Sequence, residues 1–349
     1  MRILVLGGTG AMGVHLVKFL AENGNKIFVT SRRARQSGQN IIYLQGDAHA
    51  DDFLEKLLES PWDIIIDFMV YSSKEFQNRA EKLLKAAGQY IFLSSARVYA
   101  DSSSPITEES PRLLDCCRDE AYLETDEYAL SKARQENVLI DGNRRNWTII
   151  RPYITFSENR LQLGVLEKEH WLYRALHGRT IVFSHDIASN LTTLTYGYDV
   201  ARGIAGVAGQ AKALGEVFHI THNEAHSWNE ILSVYLDVLE KHLGIRPPIL
   251  LTDKALNLRY GKYQVIYDRY FNRRFDNSKI GAFMDLSSLK PPLLGLKECL
   301  ESFLKKPQFG LIFSSWEATA DKLVKEHTSL WELPNWKQRV KYLVYRYIQ

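Results

Sequence analysis

An α/β fold, with a doubly wound parallel sheet and a smaller, mixed C-terminal lobe, is what the sequence predicts. Three observations predict it. Short, almost continuously apolar runs alternate with amphipathic stretches through roughly the first 150 residues, the pattern of strands buried on both faces by crossover helices. A glycine-rich turn, Gly7-Gly8-Thr9-Gly10-Ala11-Met12-Gly13, joins the first apolar run to the first amphipathic one. After Arg151-Pro152 the alternation becomes irregular, and Pro247-Pro248 and Pro291-Pro292 punctuate the remainder of the chain.

Taken in order, residues 2–6 read as a strand and 12–23 as a helix. Strands over 26–30 and 41–45, a helix over 51–59, a strand over 64–68, a helix over 74–87 and a strand over 90–93 come next. One helix over 122–140 and a strand over 147–150 complete the repeating part. Beyond it lie helices over 167–177, 199–209 and 228–243, short strands near 180–183 and 194–196, and one more sheet strand over 216–220. The expected division is a Rossmann domain over 1–150 and a substrate lobe over 151–315, some of whose segments return to the sheet. A helical extension over 316–349 ends the chain.

The 349 residues carry a net charge of +3, too little to point to nucleic acid, and none is expected as a partner. The three cysteines, Cys116, Cys117 and Cys299, form no disulfide framework, so a reducing, cytoplasmic setting is expected. The first residues already read as a strand, with no signal-peptide pattern before them, and no apolar run is long enough for a membrane span. A homodimer stays open.

The glycine turn has a chemical use. Gly7, Gly10 and Gly13 sit where a strand turns sharply into a helix, and small residues there let backbone N–H groups approach a pyrophosphate at a helix N-terminus. Gly7, Thr9, Gly10, Ala11, Met12 and Gly13 are therefore candidate dinucleotide contacts. The second strand ends in Thr30-Ser31-Arg32-Arg33, with no carboxylate to hold ribose hydroxyls. Guanidinium groups suit a 2′-phosphate, so Ser31, Arg32 and Arg33 favour NADP(H), with NAD as the alternative. Asp47, after the third strand, could accept from an adenine amino group or be a plain turn residue.

Tyr128-Ala-Leu-Ser-Lys132 places a phenol and an ammonium at i and i+4 on one helical face. A neighbouring Lys⁺ stabilises phenolate, which makes Tyr128 a usable acid or base near neutrality. The strand over 90–93 runs into Ser94-Ser95-Ala96-Arg97, where ligands of parallel sheets gather. Ser95 could bond a reacting oxygen beside Tyr128; Ser94 reads as a turn residue.

In these motifs, in this order, the chain resembles the extended short-chain dehydrogenase/reductases, the NAD(P)-dependent epimerase/dehydratase group. The resemblance runs from GGTGAMG through LSSARVYA and YALSK to IIRPY, then TYGYDVARGI and FDNSKI. It implies that Ser95 orients the substrate oxygen and that Tyr128 shuttles its proton. Lys132 would lower the Tyr128 pKa and bind the nicotinamide ribose. The implied activity is an NADP(H)-dependent oxidation–reduction at a secondary alcohol or ketone of a nucleotide sugar, as a keto-reductase or an epimerase. Reduction of another small carbonyl compound, and a non-catalytic NADP(H)-sensing regulator or RNA-binding protein, are the competing readings. Two departures stand out. The fourth strand ends in Asp67-Phe68-Met69-Val70, where the family often has an Asn/Ala-rich stretch. Ala96-Arg97 replaces the Asp-Glu pair of 4,6-dehydratases, which argues against dehydration unless Asp67 or a carboxylate in 101–126 takes over.

Other clusters are weaker. His219, His222 and His226 suit loop and cap positions better than a metal site, and none is expected. Arg269, with Arg273 and Arg274 among aromatic residues, could clamp a substrate diphosphate, as Arg97 could touch substrate; a solvated basic helix explains the same pattern. Lys337, Arg339, Lys341 and Arg346 share the last stretch with tyrosines and no acid. That stretch could rest on an anionic membrane, or pack on the core or on another subunit.

Overall fold

Alternating strands and helices build a seven-stranded sheet, all parallel. The structure is a computed structural model and describes residues 1–258 and 261–348. Its elements begin with β1 (Arg2–Leu6), α1 (Gly13–Glu22), β2 (Lys26–Ser31), β3 (Ile41–Gln45), α2 (Asp51–Leu58), β4 (Trp62–Asp67), α3 (Ser73–Ala86) and β5 (Ala87–Leu93). Two single-turn helices come after β5, α4 (Leu113–Cys116) and α5 (Glu120–Leu123), then α6 (Tyr128–Ile140), β6 (Trp147–Pro152) and β7 (Ile154–Phe156). Next come α7 (Lys168–Leu176), β8 (Ile181–Ser184), α8 (His185–Ala188), β9 (Leu191–Thr192), β10 (Leu194–Tyr196), α9 (Gly197–Val207) and β11 (Glu216–Ile220). The last elements are β12 (His226–Ser227), α10 (Trp228–Leu243), β13 (Ile249–Thr252), α11 (Lys262–Gln264), α12 (Pro292–Lys305), α13 (Ser314–Val324) and α14 (Trp336–Tyr347).

The sheet runs in the order β11-β6-β5-β4-β1-β2-β3, so the first six strands have the Rossmann order, with the chain reversing direction across the sheet between β1 and β4. Strand alternation explains the apolar runs. Ile3, Val5, Ile64, Ile66, Ile91 and Leu93 face α1 and α9. Leu4, Leu6, Ile65, Tyr90 and Phe92 face α2, α3 and α6. Every second residue therefore serves a different buried layer, and neither layer has room for polar alternation.

Residues Met1–Thr155, Thr193–Asn223 and Arg274–Lys290 make one compact unit; Phe156–Thr192, Glu224–Arg273 and Pro291–Gln349 make another. The first holds the sheet. In the second, Trp171 of α7 stacks on Tyr235 of α10 at 4.5 Å, and α10 packs on α12. Arg174 of α7 is fully buried against Glu317 and Asp321 of α13, at 2.9 and 2.8 Å. The expected extension forms α13 and α14, which pack on each other; Gln349, its last residue, lies outside the described residues.

The expected single helix over 122–140 is two elements. Asp119 caps α5, whose last residue is Leu123, and the Glu127 carboxylate takes the Ala129 N–H, which starts a new helix at Tyr128. The helix Pro292–Lys305 was not foreseen: the proline pair reads as a break, yet Pro292 opens the helix, where its missing N–H leaves no intrahelical bond unmade.

Candidate active site

At the end of β1 the chain enters the glycine turn with Gly7 at φ +71°, a conformation in which a side chain would be strained. The Gly7 N–H donates to Thr30 Oγ1 of β2 at 3.0 Å, so the turn is fixed to the neighbouring strand. A Cβ on Gly13 would lie 2.6 Å from the Gly8 backbone, so glycine lets α1 start directly against the turn. A Cβ on Gly10 would meet nothing within 4 Å; Gly10 faces open space. The first N–H groups of α1 thus converge beside an open backbone, the arrangement that takes a phosphate. Met12 precedes α1 and packs partly into the core beneath it.

A cleft of about 300 Å³ adjoins this turn. Its walls include Gly7, Thr9, Ser31, Arg32, Asp47 and His49, with Phe68 and Met69 from the end of β4. The segment that departs from the family's Asn/Ala pattern thus supplies an apolar wall. Arg32 and Arg33 are exposed, and the Ser31 hydroxyl donates to the Arg33 carbonyl at 2.8 Å, shaping the loop that carries both arginines. Asp47 does two things at once: it lines the cleft and accepts the His49 N–H at 3.0 Å as a turn residue. A glycine cradle that a Cβ would fill, an open helix end and a cation at the cleft wall fit a dinucleotide phosphate chain with an adenosine half.

β5 ends on the same edge of the sheet. Ser95 is buried just past it, and its Oγ accepts the Arg97 N–H at 3.2 Å, capping a 3₁₀ turn over Ala96–Val98 that packs on α6. Tyr128 is the first residue of α6. The Arg97 guanidinium lies over its ring, 5.3 Å from the centroid. One turn on, Lys132 is 2% exposed; its Nζ donates to the Leu93 carbonyl at 2.7 Å and sits 4.5 Å from the centre of the Phe92 ring. Lys132 thus meets the end of β5 while Arg97, two residues past Ser95, lies over Tyr128. The structure brings Ser95, Tyr128 and Lys132 to one corner of the sheet.

The electrostatics of that corner are set by burial. Desolvation drives the Lys132 ammonium down to about 8, although the charges of Asp67 and Glu136 oppose the fall. Burial raises the Asp67 carboxyl, in spite of the Met69 N–H and of the hydroxyls it accepts from Tyr90 and Tyr71 at 2.8 and 3.1 Å. Burial alone would also raise Glu136, on the Lys132 face of α6. Arg151, which bonds both its oxygens at 2.8 and 2.7 Å, outweighs burial together with Ser94 and Arg112, and holds it below the usual carboxylate range.

Sequence reasoning missed two of these carboxylates. Glu127 accepts from Arg97 at 2.6 Å, from Tyr122 at 3.2 Å and from the Ala129 N–H at 2.8 Å. Read as mid-helix, it carried no signal; the polar run Thr125-Asp126-Glu127 before Tyr128 is the cap signature that marks it. Glu136 stands at i+4 from Lys132, a spacing that was legible. Ser94 is more than a turn residue: it is buried and its hydroxyl donates to Glu136.

Other candidates fall elsewhere. His219 is buried, its Nδ1 3.2 Å from the Tyr99 hydroxyl and its Nε2 2.6 Å from the Asp276 carbonyl. Among the described residues no group of three or more His, Cys, Asp or Glu is placed to hold a metal. Arg269 and Arg273 do not lie on a solvated basic helix. Both are buried in the second unit against Asp268, and Arg269 Nε also donates to the Gly164 carbonyl at 2.9 Å. Among the described residues no helix is long and apolar enough to cross a membrane.

With this geometry in view, the comparisons are specific about lineage. Residues 3–221 match the model of the NAD dependent epimerase/dehydratase family. The chain is 27% identical over 237 residues to the chloroplast stem-loop binding protein of 41 kDa b from Arabidopsis thaliana, covering 63% of this chain and 58% of that one. It is 28% identical over 181 residues to a UDP-glucose 4-epimerase of Neisseria meningitidis, covering 43% and 51%. The matches thus span between about half and three fifths of those relatives' lengths. The fold resembles that of UDP-glucuronic acid 4-epimerase from Bacillus cereus, solved with UDP-glucuronic acid and NAD. The TM-score is 0.66 at 20% identity, over 88% of this chain and all of that one. It also resembles dTDP-glucose 4,6-dehydratase from Bacillus anthracis, solved with NAD, with a TM-score of 0.66 at 18% identity over 88% and 97%.

Proposed function

The chain belongs to the NAD dependent epimerase/dehydratase family, and on that premise we propose that it is a nicotinamide-dependent enzyme acting at a secondary alcohol or ketone of a nucleotide sugar, as a keto-reductase or an epimerase. The observation that carries the proposal is that Ser95 and the buried Lys132 ammonium both meet the end of β5, with Tyr128 one turn before Lys132 on α6, on the sheet edge that bears the glycine turn. Gly7, Thr9, Gly10, Ala11, Met12 and Gly13 hold the dinucleotide's phosphates, and Asp47 with the cleft around it takes the adenosine half. Arg32 and Arg33, in a loop shaped by Ser31, favour NADP(H), because no carboxylate stands there to repel a 2′-phosphate. NAD is the rival, suggested by the family's name and by the NAD in the two similar structures.

A nicotinamide bound here supplies the hydride acceptor and donor. Tyr128 removes or returns the hydroxyl proton. Ser95 holds the same oxygen by a hydrogen bond. Lys132 favours the phenolate through its charge and binds the ribose, and Arg97, over the Tyr128 ring, touches the substrate. Arg269 is left outside the set, since Asp268 and Gly164 engage it. Dehydration would need a further carboxylate free to exchange protons. Three donors already occupy Glu127, and Asp67 is enclosed by two tyrosine hydroxyls.

The test is incubation with a panel of nucleotide sugars and their 4-keto forms in deuterated water, with each cofactor. Isomerisation without net cofactor consumption, or net oxidation of NADPH, is expected. Loss of water with deuterium entering the sugar beside the carbonyl would refute the reaction type. Similarity to a stem-loop binding protein favours one second reading, an RNA-binding protein without chemistry. RNA binding with no turnover on any substrate would select it.

A further inference from the structure

The last helix presents a face that no other part of the described chain covers. Tyr342 anchors α14 from its inner side: it is 2% exposed, its hydroxyl donates to Asp321 at 2.6 Å and it accepts the Thr328 N–H at 3.1 Å. Gln338, on the same side, accepts from Ser314 of α13. On the outer side stand Trp336, Val340, Leu343 and Tyr347, at i, i+4, i+7 and i+11, each between 40% and 68% exposed. At about 100° per residue these four fall within roughly 60° of arc. Trp331, just before the helix, and Ile348, just past it, are exposed as well.

The charges are arranged around that stripe. By the same helical geometry Lys337 and Lys341 flank it on one side, and Arg339 and Arg346 on the other. No acid occurs among residues 333–349. Arg339 lies 4.8 Å from the centre of the Trp331 ring, Lys337 5.9 Å from that of Trp336 and Lys341 5.8 Å from that of Tyr345. Lys337 and Arg339 thus each stand beside an aromatic ring at the rim of the stripe, while Lys341 stands farther round the helix, beside Tyr345, which packs against the buried cluster of Ala318, Leu333 and Tyr342. Two copies of such a face would bring cations against cations with no acid to relieve them, which disfavours self-association. RNA would use the cations and the aromatic rings, but Val340 and Leu343 in the middle of the stripe offer a base nothing to stack on. A bilayer surface uses all of it: aliphatic and aromatic side chains enter the acyl boundary while cations meet lipid phosphates.

We propose that the outer face of α14 docks this protein on an anionic membrane surface. Trp336, Val340, Leu343 and Tyr347 seat in the acyl boundary, with Lys337, Arg339 and Lys341 on the headgroup phosphates, while Arg346 stays with the fold by donating to the Glu326 carbonyl at 3.3 Å. The helix, about 18 Å long at about 1.5 Å per residue, lies in the plane of the interface and does not span it. Binding is reversible and weakens as salt rises.

The test is flotation of the full chain with two kinds of vesicle, phosphatidylcholine alone and phosphatidylcholine containing roughly a third phosphatidylglycerol. The protein should float with the anionic vesicles, be released by salt and stay behind with the neutral ones. Each lysine near an anionic leaflet is worth about fivefold in binding, so Lys337→Gln/Lys341→Gln should weaken it about 25-fold. Val340→Ser/Leu343→Ser should abolish flotation and leave the melting temperature unchanged, because both side chains already face solvent. Failure of the wild type to float, equal flotation on neutral vesicles, or unchanged binding by either variant would overturn the proposal. So would a lipid-free dimer that Val340→Ser/Leu343→Ser splits, or RNA binding lost on Lys337→Gln/Lys341→Gln without any vesicle binding.

Discussion

Replacing Lys132 with Met separates what this residue does for the fold from what it does for chemistry. Lys132 is buried, and its fall from an ordinary 10.5 to about 8 corresponds to about 3 kcal/mol by which burial disfavours the charge at neutral pH. Met fills a similar space without that charge. It leaves the Leu93 carbonyl without its ammonium donor, a loss of about 1–3 kcal/mol for a buried acceptor. The two effects nearly cancel, so near pH 7 the variant should be as stable as the wild type or up to about 2 kcal/mol more stable. The pH dependence supplies a sharper signature. Between about 8 and 10.5 the unfolded lysine binds a proton that the folded one has released, so wild-type stability rises with pH in that window. From about pH 7 to about pH 9.5 the gain is about 2 kcal/mol, and the variant lacks it. Urea unfolding followed by far-ultraviolet circular dichroism at both pH values, without added cofactor, gives the difference between the two proteins directly. A stability gap that does not move with pH, or a variant about 3 kcal/mol or more less stable at pH 7, would show that Lys132 is a structural residue and not one held charged against its surroundings.

Two further perturbations bear on the same corner and on the cleft. Arg32→Ala/Arg33→Ala should reduce NADP(H) affinity by about 1.5–3 kcal/mol, as expected for losing charged partners of a phosphate, and spare NAD(H); calorimetric titration of both cofactors decides, and a wild type preferring NAD(H) refutes the assignment. Glu136→Gln should destabilise the protein by about 3 kcal/mol or more, since it leaves Arg151 and Arg112 beside a neutral partner. Because the Glu136 carboxyl is depressed in the folded state, its contribution is present above the ordinary carboxylate pKa and lost as pH falls through the depressed value. The variant should therefore show a shallower acid limb in melting temperature against pH, and an unchanged limb would assign acid sensitivity to other groups.

Much of the sheet was legible because its strands are buried on both faces. Runs such as Ile64-Ile65-Ile66 leave no alternative to a central parallel strand, and the observed β4 differs from the expected one only at its ends. The glycine turn was legible for the same local reason: Gly7 and Gly13 answer to φ and to close packing within a few residues. What was hidden depends on contacts between distant residues. Arg97 reads only as a candidate substrate contact; that Glu127, thirty residues on, holds it over Tyr128 is not in the local sequence. Arg269 reads as a diphosphate clamp or as part of a solvated helix until Asp268 and Gly164 enclose it. The cap at Glu127 was obscured because helical periodicity on both sides masks the four-residue break over 124–127.

The most direct measurement of the proposed chemistry is a single-turnover experiment on protein loaded with oxidised cofactor, wild type beside Tyr128→Phe, followed by the near-ultraviolet absorbance of reduced nicotinamide as nucleotide sugars are added. Phe keeps the ring beneath Arg97 but cannot exchange a proton. The expected result is cofactor binding in both proteins, and an absorbance rise with at least one sugar in the wild type alone. Equal absorbance changes in wild type and Tyr128→Phe would contradict the assignment of Tyr128, and tight cofactor binding with no change on any sugar or carbonyl substrate would contradict the enzyme itself.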